Sequence, residues 1–489
     1  MKKYKLFDKE ISGSFTIPSG MVATEVSVLE KIAKEIPEIG ILTTKSIGPE
    51  PKSGNREPII AQFSPFSFIN AVGLTNPGAD VFAEKLSKIK IPADKFLLIS
   101  IFGSCEVEFK EVAEKLYPFA DGFELNISCP HSDKYGQVVG QDKNLVEKSV
   151  KSVASLGKPV FIKVSPNLDV KETLKYALKG GISGVTAINT KGPEKYLYND
   201  YPVLSNKVGG ISGRAILGLG LECIKEIREM TKMPIIACGG ISKAKDIESY
   251  KSAGADFFGI GSALAGMNMK ELKSYFHELA EDVADNANNA ERFLKENLNM
   301  EYVKFTVKEN RKLAEDLFLL IFDENIKMEP GQFIFTWLPE KGEKPFSAFD
   351  DDPLTLLVQK RGCFTEELSK LGKGDNLYIR GPYGNSPKAD GKILLVGGGT
   401  GIAALHLFAK RNKETYALLG AKNKQHLPYE EFKRFCKELY LCTDNGEIGY
   451  KGFTTDKLGE IMEKVRPDYC INCGPEQMVK SAIQKEIKY

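Results

Sequence analysis

The stretch Glu124-Leu125-Asn126-Ile127-Ser128-Cys129-Pro130-His131 is an apolar run that ends in an amide, a hydroxyl, a thiol and a proline. A strand that stops this way delivers polar chemistry to a loop. No zinc-type spacing surrounds Cys129, so its thiol reads as a catalytic base or nucleophile rather than a metal ligand. The thiolate is the competent form and an unperturbed cysteine titrates near ~8.5, so chemistry resting on Cys129 should strengthen toward alkaline pH. A second constellation is built of glycine: Ala237-Cys238-Gly239-Gly240-Ile241 and Gly259-Ile260-Gly261-Ser262-Ala263-Leu264. Glycines there let backbone N–H groups approach an anion, although tight turns alone are the ordinary alternative. Two lysines, Lys45 after Leu42-Thr43-Thr44 and Lys163 within Val160-Phe161-Ile162-Lys163-Val164, end apolar runs and could be ligand cations or solvated charges.

These groups need a scaffold that gathers strand ends. Through about residue 270, short apolar or β-branched runs alternate with longer amphipathic segments, the pattern of a parallel α/β fold. Eight runs begin at Phe15, Gly40, Phe96, Gly122, Pro159, Gly184, Pro234 and Phe257, with helices expected in between, as at Lys171 to Leu178 and Leu221 to Met230. Eight such units predict a (β/α)8 barrel. Lys45, Asn126 with Cys129, Lys163, Asn189, Gly239-Gly240 and Gly261-Ser262 then fall on its functional face, and the last two pairs on its usual phosphate site. A phosphorylated cofactor such as FMN fits there, with Lys163 near its ring to stabilise a reduced, anionic form.

At 489 residues the chain should hold two or three domains. Lys plus Arg number 67 against 65 Asp plus Glu, a net charge of +2 that gives no case for nucleic acid or an acidic membrane surface and favours a small-molecule substrate. Nine cysteines at irregular spacing suggest a reducing cytoplasm, and neither a signal-type apolar region nor a run of about 18 apolar residues occurs, so no membrane anchor is expected. The polar stretch Asp285-Asn286-Ala287-Asn288-Asn289 has little to bury and reads as part of a linker over 284–300. From Glu301 short alternating strands predict a small antiparallel barrel to residue 388, followed by an α/β domain over 389–489. There, Lys392 to Ala403 reads as a strand, the turn Gly397-Gly398-Gly399-Thr400-Gly401 and a helix start, an arrangement that turns backbone donors toward a diphosphate without the strict Gly-x-Gly-x-x-Gly spacing.

With these motifs in view, residues 1 to 300 resemble the class 1 dihydroorotate dehydrogenases. The resemblance is carried by Thr43-Thr44-Lys45-Ser46, Asn70-Ala71-Val72-Gly73-Leu74 with Asn76-Pro77-Gly78, Asn126-Ile127-Ser128-Cys129-Pro130, and Asn189-Thr190. It implies a cytoplasmic enzyme of pyrimidine biosynthesis, homodimeric through its barrel. Dihydroorotate would place its carboxylate on Lys45, Asn70 and the backbone from Val72 through Gly73 to Leu74. Its amides would meet Asn126, Asn189 and Thr190, while Cys129 takes the C5 proton as C6 gives hydride to flavin. FMN contacts would fall at Ser19, Lys45, Ser46, Ser100, Asn126, Lys163, Ile188, Gly213, Gly239, Gly240, Gly261 and Ser262. The class usually has asparagine after its Cys-Pro pair; His131, with Gly140-Gln141-Asp142, resembles dihydropyrimidine dehydrogenases instead and keeps dihydrouracil as an alternative substrate.

Residues 301 to 489 resemble the ferredoxin-reductase-like subunit of the class 1B enzymes, which carries FAD and works with NAD. The resemblance implies FAD contacts at Lys344, Pro345, Phe346, Ser347, Leu357, Val358, Gln359, Phe364 and Thr365, and a nucleotide turn at Gly398, Gly399, Thr400 and Gly401. Two departures stand out. Lys344 replaces the usual arginine and loses its fork of donors. The related subunit also holds a [2Fe-2S] cluster on four cysteines, whereas no Cys-x4-Cys-x2-Cys pattern occurs here; Cys470 and Cys473 make a Cys-x2-Cys pair, but Cys470 falls within an apolar strand and reads as a core residue. No cluster is therefore expected, and electrons would cross between flavins directly or through a separate iron-sulfur partner. A flavoprotein that only relays electrons is the rival of another class.

Overall fold

The computed structural model describes residues 3–128 and 137–488; Cys129 and His131 lie outside the described residues. The chain divides into two compact units, Met1–Leu298 and Asn299–Tyr489.

In the first unit eight parallel strands close into a barrel: β1 (Phe15–Ile17), β2 (Ile39–Thr43), β3 (Phe96–Ile101), β4 (Gly122–Asn126), β5 (Val160–Val164), β6 (Gly184–Ala187), β7 (Ile235–Cys238) and β8 (Phe257–Gly259). They follow one another around the barrel in chain order, and each begins within one residue of the start expected from the apolar pattern. Helices between strands bury one face against them. Val170–Gly180 shows how the sequence sets the limits: the Asp169 carboxylate accepts the Glu172 N–H at 3.0 Å, and Gly181 ends the helix in the left-handed region.

Side chains on a strand alternate, so the barrel interior can be read two residues at a time. Near the strand starts Ile41, Phe96, Leu98, Phe161, Ile236 and Phe257 form one buried cluster with Leu6 and Ile11 of the hairpin Tyr4–Leu6/Lys9–Ile11, which closes that end. One step further along, the same faces carry Thr43, Ser100 and Lys163, with Cys238 still at the edge of the apolar cluster. The interior is therefore apolar at one end and polar at the functional end.

Two features depart from the pattern. Segments after β2 and β6 pair with each other in a four-stranded antiparallel sheet, in the order Lys191–Glu194, Gly209–Gly213, Ser67–Asn70, Ile60–Ser64. The stretch expected to begin a linker also folds back on the first unit as far as Leu298. Asp282, only 1% exposed, takes the N–H groups of Asn289 and Ala290 at 2.9 and 2.8 Å, and Ala290 is fully buried. Backbone donors satisfying a buried carboxylate leave no trace in apolar periodicity.

The second unit holds a seven-stranded antiparallel sheet running from Gly342–Phe346 at one edge to Asp350–Asp351 at the other. It is curled around a core that includes Phe305, Phe318, Leu320 and Ile379, but its end strands do not pair, so the expected barrel is not closed. A five-stranded parallel sheet follows, in the order Tyr450–Lys451, Glu438–Thr443, Thr415–Ala421, Ile393–Gly398, Tyr469–Cys473. From Ile393–Gly398 the chain builds first to one side and later to the other. The carboxyl end of that strand is a topological switch point, where such sheets bind ligands.

Candidate functional site

At the functional end of the barrel a hydrogen-bonded chain links four strands and the loop after β1. Ser19 Oγ meets Ser46 Oγ at 3.0 Å, Ser46 Oγ meets Ser100 Oγ at 2.9 Å, and Asn126 Nδ2 donates to Ser46 Oγ at 3.0 Å. Ser100 Oγ donates to Glu124 Oε1 at 2.9 Å, and Asn189 Nδ2 reaches Ser128 Oγ at 3.1 Å. Asn167 bonds the Thr190 carbonyl and the Gly192 N–H, fixing the turn that follows Asn189. The expected residues from the ends of β2, β3, β4 and β6 are thus brought together. Ile188 presents only backbone, because its side chain is buried in the core and its N–H is spent on the Cys238 carbonyl.

Glu124 and Asn167 were not singled out by motif, yet a glutamate inside an otherwise apolar strand was signal enough. At 1% exposure it would be costly to bury without a donor, and Ser100 supplies one.

Lys163 lies between Asn126 and Thr186 across the parallel ladder. The residue is only 5% exposed, and among the described residues its ammonium has neither a carboxylate within ion-pair distance nor a hydrogen bond. Beside it Thr186 Oγ1 is buried without a partner, and burial pushes the neighbouring Cys238 thiol up to about 12, which keeps it neutral. Lys163 and Thr186 thus place a cation and a hydroxyl without protein partners side by side near the strand ends, where a buried polar group is stabilised by a hydrogen-bond partner. Burial also holds Lys45 below the ordinary lysine range, opposed by the charge of Glu25.

The glycine turns lie where the phosphate site was expected. Gly239 and Gly240 adopt φ of 117° and 77°, and a Cβ on Gly240 would stand 2.9 Å from the Gly213 carbonyl. Gly213, at φ 84°, is packed so that a Cβ would overlap Phe66 O. Tyr250 Oη donates to the Gly239 carbonyl at 2.7 Å, turning that peptide so its oxygen faces the protein. Gly261 precedes the 3-10 turn Ser262–Leu264, and both Gly261 and Ser262 are half-buried.

The loop from Val72 to Leu74, expected to receive a substrate carboxylate, is organised by two asparagines. The Asn55 N–H donates to the Val72 carbonyl at 3.0 Å and its Nδ2 donates to Ala71 O at 2.9 Å. Asn76 donates to Leu74 O at 3.0 Å while its Oδ1 takes the N–H groups of Gly48 and Gly78. Gly73 and Leu74 both have positive φ, so successive peptides turn and expose their N–H groups. The Gly48 bond ties this loop to the chain just beyond Lys45. Asn70 donates to the Gly210 carbonyl at 3.3 Å, a weak bond that leaves its Oδ1 without a partner among the described residues.

In the second unit the switch point opens into a cavity of about 460 Å³ lined by Gly398, Gly399, Thr400, Gln359, Arg361, Asp444 and Phe453, among others. Gly401 packs on the Cys473 carbonyl, where a Cβ would stand 2.5 Å away. The residues expected around FAD behave differently from one another. Lys344 and Pro345 are exposed on an edge strand and Ser347 is half-buried. Phe346 and Phe364 pack ring to ring at 6.5 Å, and Leu357 and Val358 bury their side chains, so these two can offer a ligand only backbone. Thr365 Oγ1 accepts the N–H groups of Arg361 and Gly362. No helix of the described residues is long and apolar enough to cross a membrane.

The first unit is therefore a (β/α)8 barrel with polar, cation-bearing strand ends and glycine turns after its seventh and eighth strands, the architecture of a barrel enzyme with its active site at the carboxyl ends of the strands. Residues 1–283 match the family model described as "Dihydroorotate dehydrogenase". The chain is 37% identical over 284 residues to the "Dihydroorotate dehydrogenase B (NAD(+)), catalytic subunit" of Pyrococcus horikoshii, an alignment covering 58% of this chain and 92% of that protein. The proteins of the same description from Methanocaldococcus jannaschii and Pyrococcus abyssi are also 37% identical, with 54% and 60% of this chain and 87% and 95% of theirs aligned. The chain belongs to the dihydroorotate dehydrogenase family and is an oxidoreductase.

Proposed function

We propose that the chain oxidises dihydroorotate to orotate on FMN in its barrel and passes the electrons through FAD to NAD in its second unit, as a fusion of catalytic and ferredoxin-reductase-like parts. The observation that carries the first half is Lys163, a buried ammonium without a counter-charge among the described residues, set beside the glycine turns. FMN fits those residues: the phosphate on Gly213, Gly239, Gly240, Gly261 and Ser262, the ring on Lys163, Ser46, Ser100 and Asn126. When bound, FMN supplies the two-electron acceptor.

The chain's own residues do the rest. Lys45, Asn70 and the turned backbone of Val72 to Leu74 hold the substrate carboxylate, and Asn126, Asn189 and Thr190 hold its amides. An analogue lacking either group leaves buried donors and acceptors unpaired, which is the basis of selectivity. Cys129 receives the C5 proton. In the second unit, 301–388 is read as the FAD-binding part and 389–489 as the NAD-binding part, supported by the glycine turn at the switch point. The assembly is read as a cytoplasmic homodimer through its barrels, working with or without a separate iron-sulfur partner.

Anaerobic titration of the purified chain with dihydroorotate, dihydrouracil and NADH, after counting FMN, FAD and iron, tests this. Dihydroorotate should bleach the flavin, dihydrouracil should not, and NADH should reach the same flavins from the other end. Bound FMN that no dihydropyrimidine reduces would sink the proposal.

A further inference from the structure

Arg361 lines the second unit's cavity together with the glycine turn Gly398–Thr400. Four of the six arginines of this unit, Arg311, Arg380, Arg411 and Arg434, each hold a carboxylate, and Arg466 holds none among the described residues. Arg361 holds none among the described residues. Its Nε donates instead to Gln359 Oε1 at 2.9 Å. Gln359 Nε2 donates to Asp316 Oδ2 at 2.7 Å, and the other oxygen of Asp316 meets His426 Nε2 at 2.7 Å. His426 Nδ1 in turn meets Asn423 Oδ1 at 2.7 Å. This relay runs from the parallel-sheet part of the unit to the antiparallel part. The backbone is fixed as well, since Thr365 Oγ1 accepts the Arg361 N–H at 2.8 Å.

The consequence for the guanidinium is specific. The side chain is exposed at the cavity wall; with Nε engaged, both Nη groups remain without a protein partner among the described residues, and the Gln359 bond limits the rotamers left to lose on binding. A planar fork of two free donors in the same cavity as a glycine turn matches a diphosphate. The residue expected for that task from the family pattern, Lys344, does not line this cavity and has no fork.

We propose that Arg361 is the guanidinium that receives the diphosphate of a bound dinucleotide in the second unit, positioned for it by Gln359, Asp316 and His426. This rests on reading the second unit as a flavin and nicotinamide dinucleotide module. Both candidate ligands share the diphosphate, and the experiment separates them.

The full chain and its Arg361→Ala, Arg361→Lys and Asp316→Asn variants would be titrated with ADP-ribose by calorimetry and with FAD after flavin removal, with thermal midpoints as the folding control. Arg361→Ala should weaken one ligand at least tenfold. Arg361→Lys should recover only part of that, and Asp316→Asn should weaken the same ligand by a smaller factor. A change confined to ADP-ribose assigns Arg361 to the nicotinamide dinucleotide, and one confined to FAD assigns it to the flavin. If the unchanged chain binds both ligands and Arg361→Ala alters neither by as much as threefold, the proposal fails while the module reading stands. If the unchanged chain binds neither, both fall together.

Discussion

Lys163→Gln is the sharpest test of the barrel site, because the structure fixes what the substitution does and does not remove. Glutamine keeps most of the length and a hydrogen-bond donor but no charge. Lys163 is 5% exposed and holds no carboxylate among the described residues, so its loss breaks no ion pair there. What disappears is a charge-assisted bond to whatever occupies the mouth, a contribution of about 1.5–3 kcal/mol, or roughly 10–150-fold in affinity. The fully reduced flavin carries more negative charge than the oxidised form, so the loss should fall more heavily on it and lower the midpoint potential. FMN affinity would be followed by fluorescence quenching of the apoprotein, the potential by dye equilibration, and folding by the thermal midpoint without flavin. FMN affinity within threefold of the original, together with an unmoved potential, would refute the reasoning. A large fall in the apoprotein's thermal midpoint with unchanged flavin binding would show that Lys163 serves the core.

Other expectations follow from the same geometry. Burial lowers the Lys45 pKa, so its ammonium is lost at a lower pH than an ordinary lysine's, and the KM for dihydroorotate should rise in the alkaline range even as a Cys129 thiolate accelerates turnover; Lys45→Arg should flatten the KM profile, and a KM that stays level in the unchanged chain would count against a carboxylate role. Gly240→Ala forces a Cβ onto a left-handed residue 2.9 Å from the Gly213 carbonyl, which should cost about 1–3 kcal/mol in chemical denaturation and abolish FMN retention; a variant that keeps its flavin would argue that this turn is not the phosphate site. At the closed end of the barrel Lys95, 2% exposed, donates to Ser12 Oγ and to the carbonyls of Ile36, Pro37 and Ile39, and burial pushes it from 10.5 to about 8. Between those two values the unfolded chain binds more protons, so stability should rise with pH by about 3 kcal/mol across that window. Urea titrations of Lys95→Met should lose that slope, and parallel curves for the two proteins would contradict it.

The sequence by itself determined the order and starts of the barrel strands, because buried parallel strands write their own apolar runs and the polar residues that follow them are visible as interruptions. Asn126, Lys163, Gly239 and Gly240 were legible for that reason. Partnerships made across the chain left no such mark. Nothing in residues 55–78 announces that Asn55 and Asn76 shape the loop from Val72 to Leu74, since their bonds go to backbone atoms. The antiparallel sheet that pairs Ser67–Asn70 with Gly209–Gly213 joins segments about 140 residues apart, and a single sequence carries no register for such a pairing. Asp282 drew the Asn-rich stretch onto the first unit through donors that every residue possesses. Arg361 reads in the sequence as one more surface charge. Only the folded chain brings Gln359, Asp316 and His426 to it, because hydrogen-bonded positioning depends on distances of under 3 Å between residues that periodicity and composition treat as unrelated.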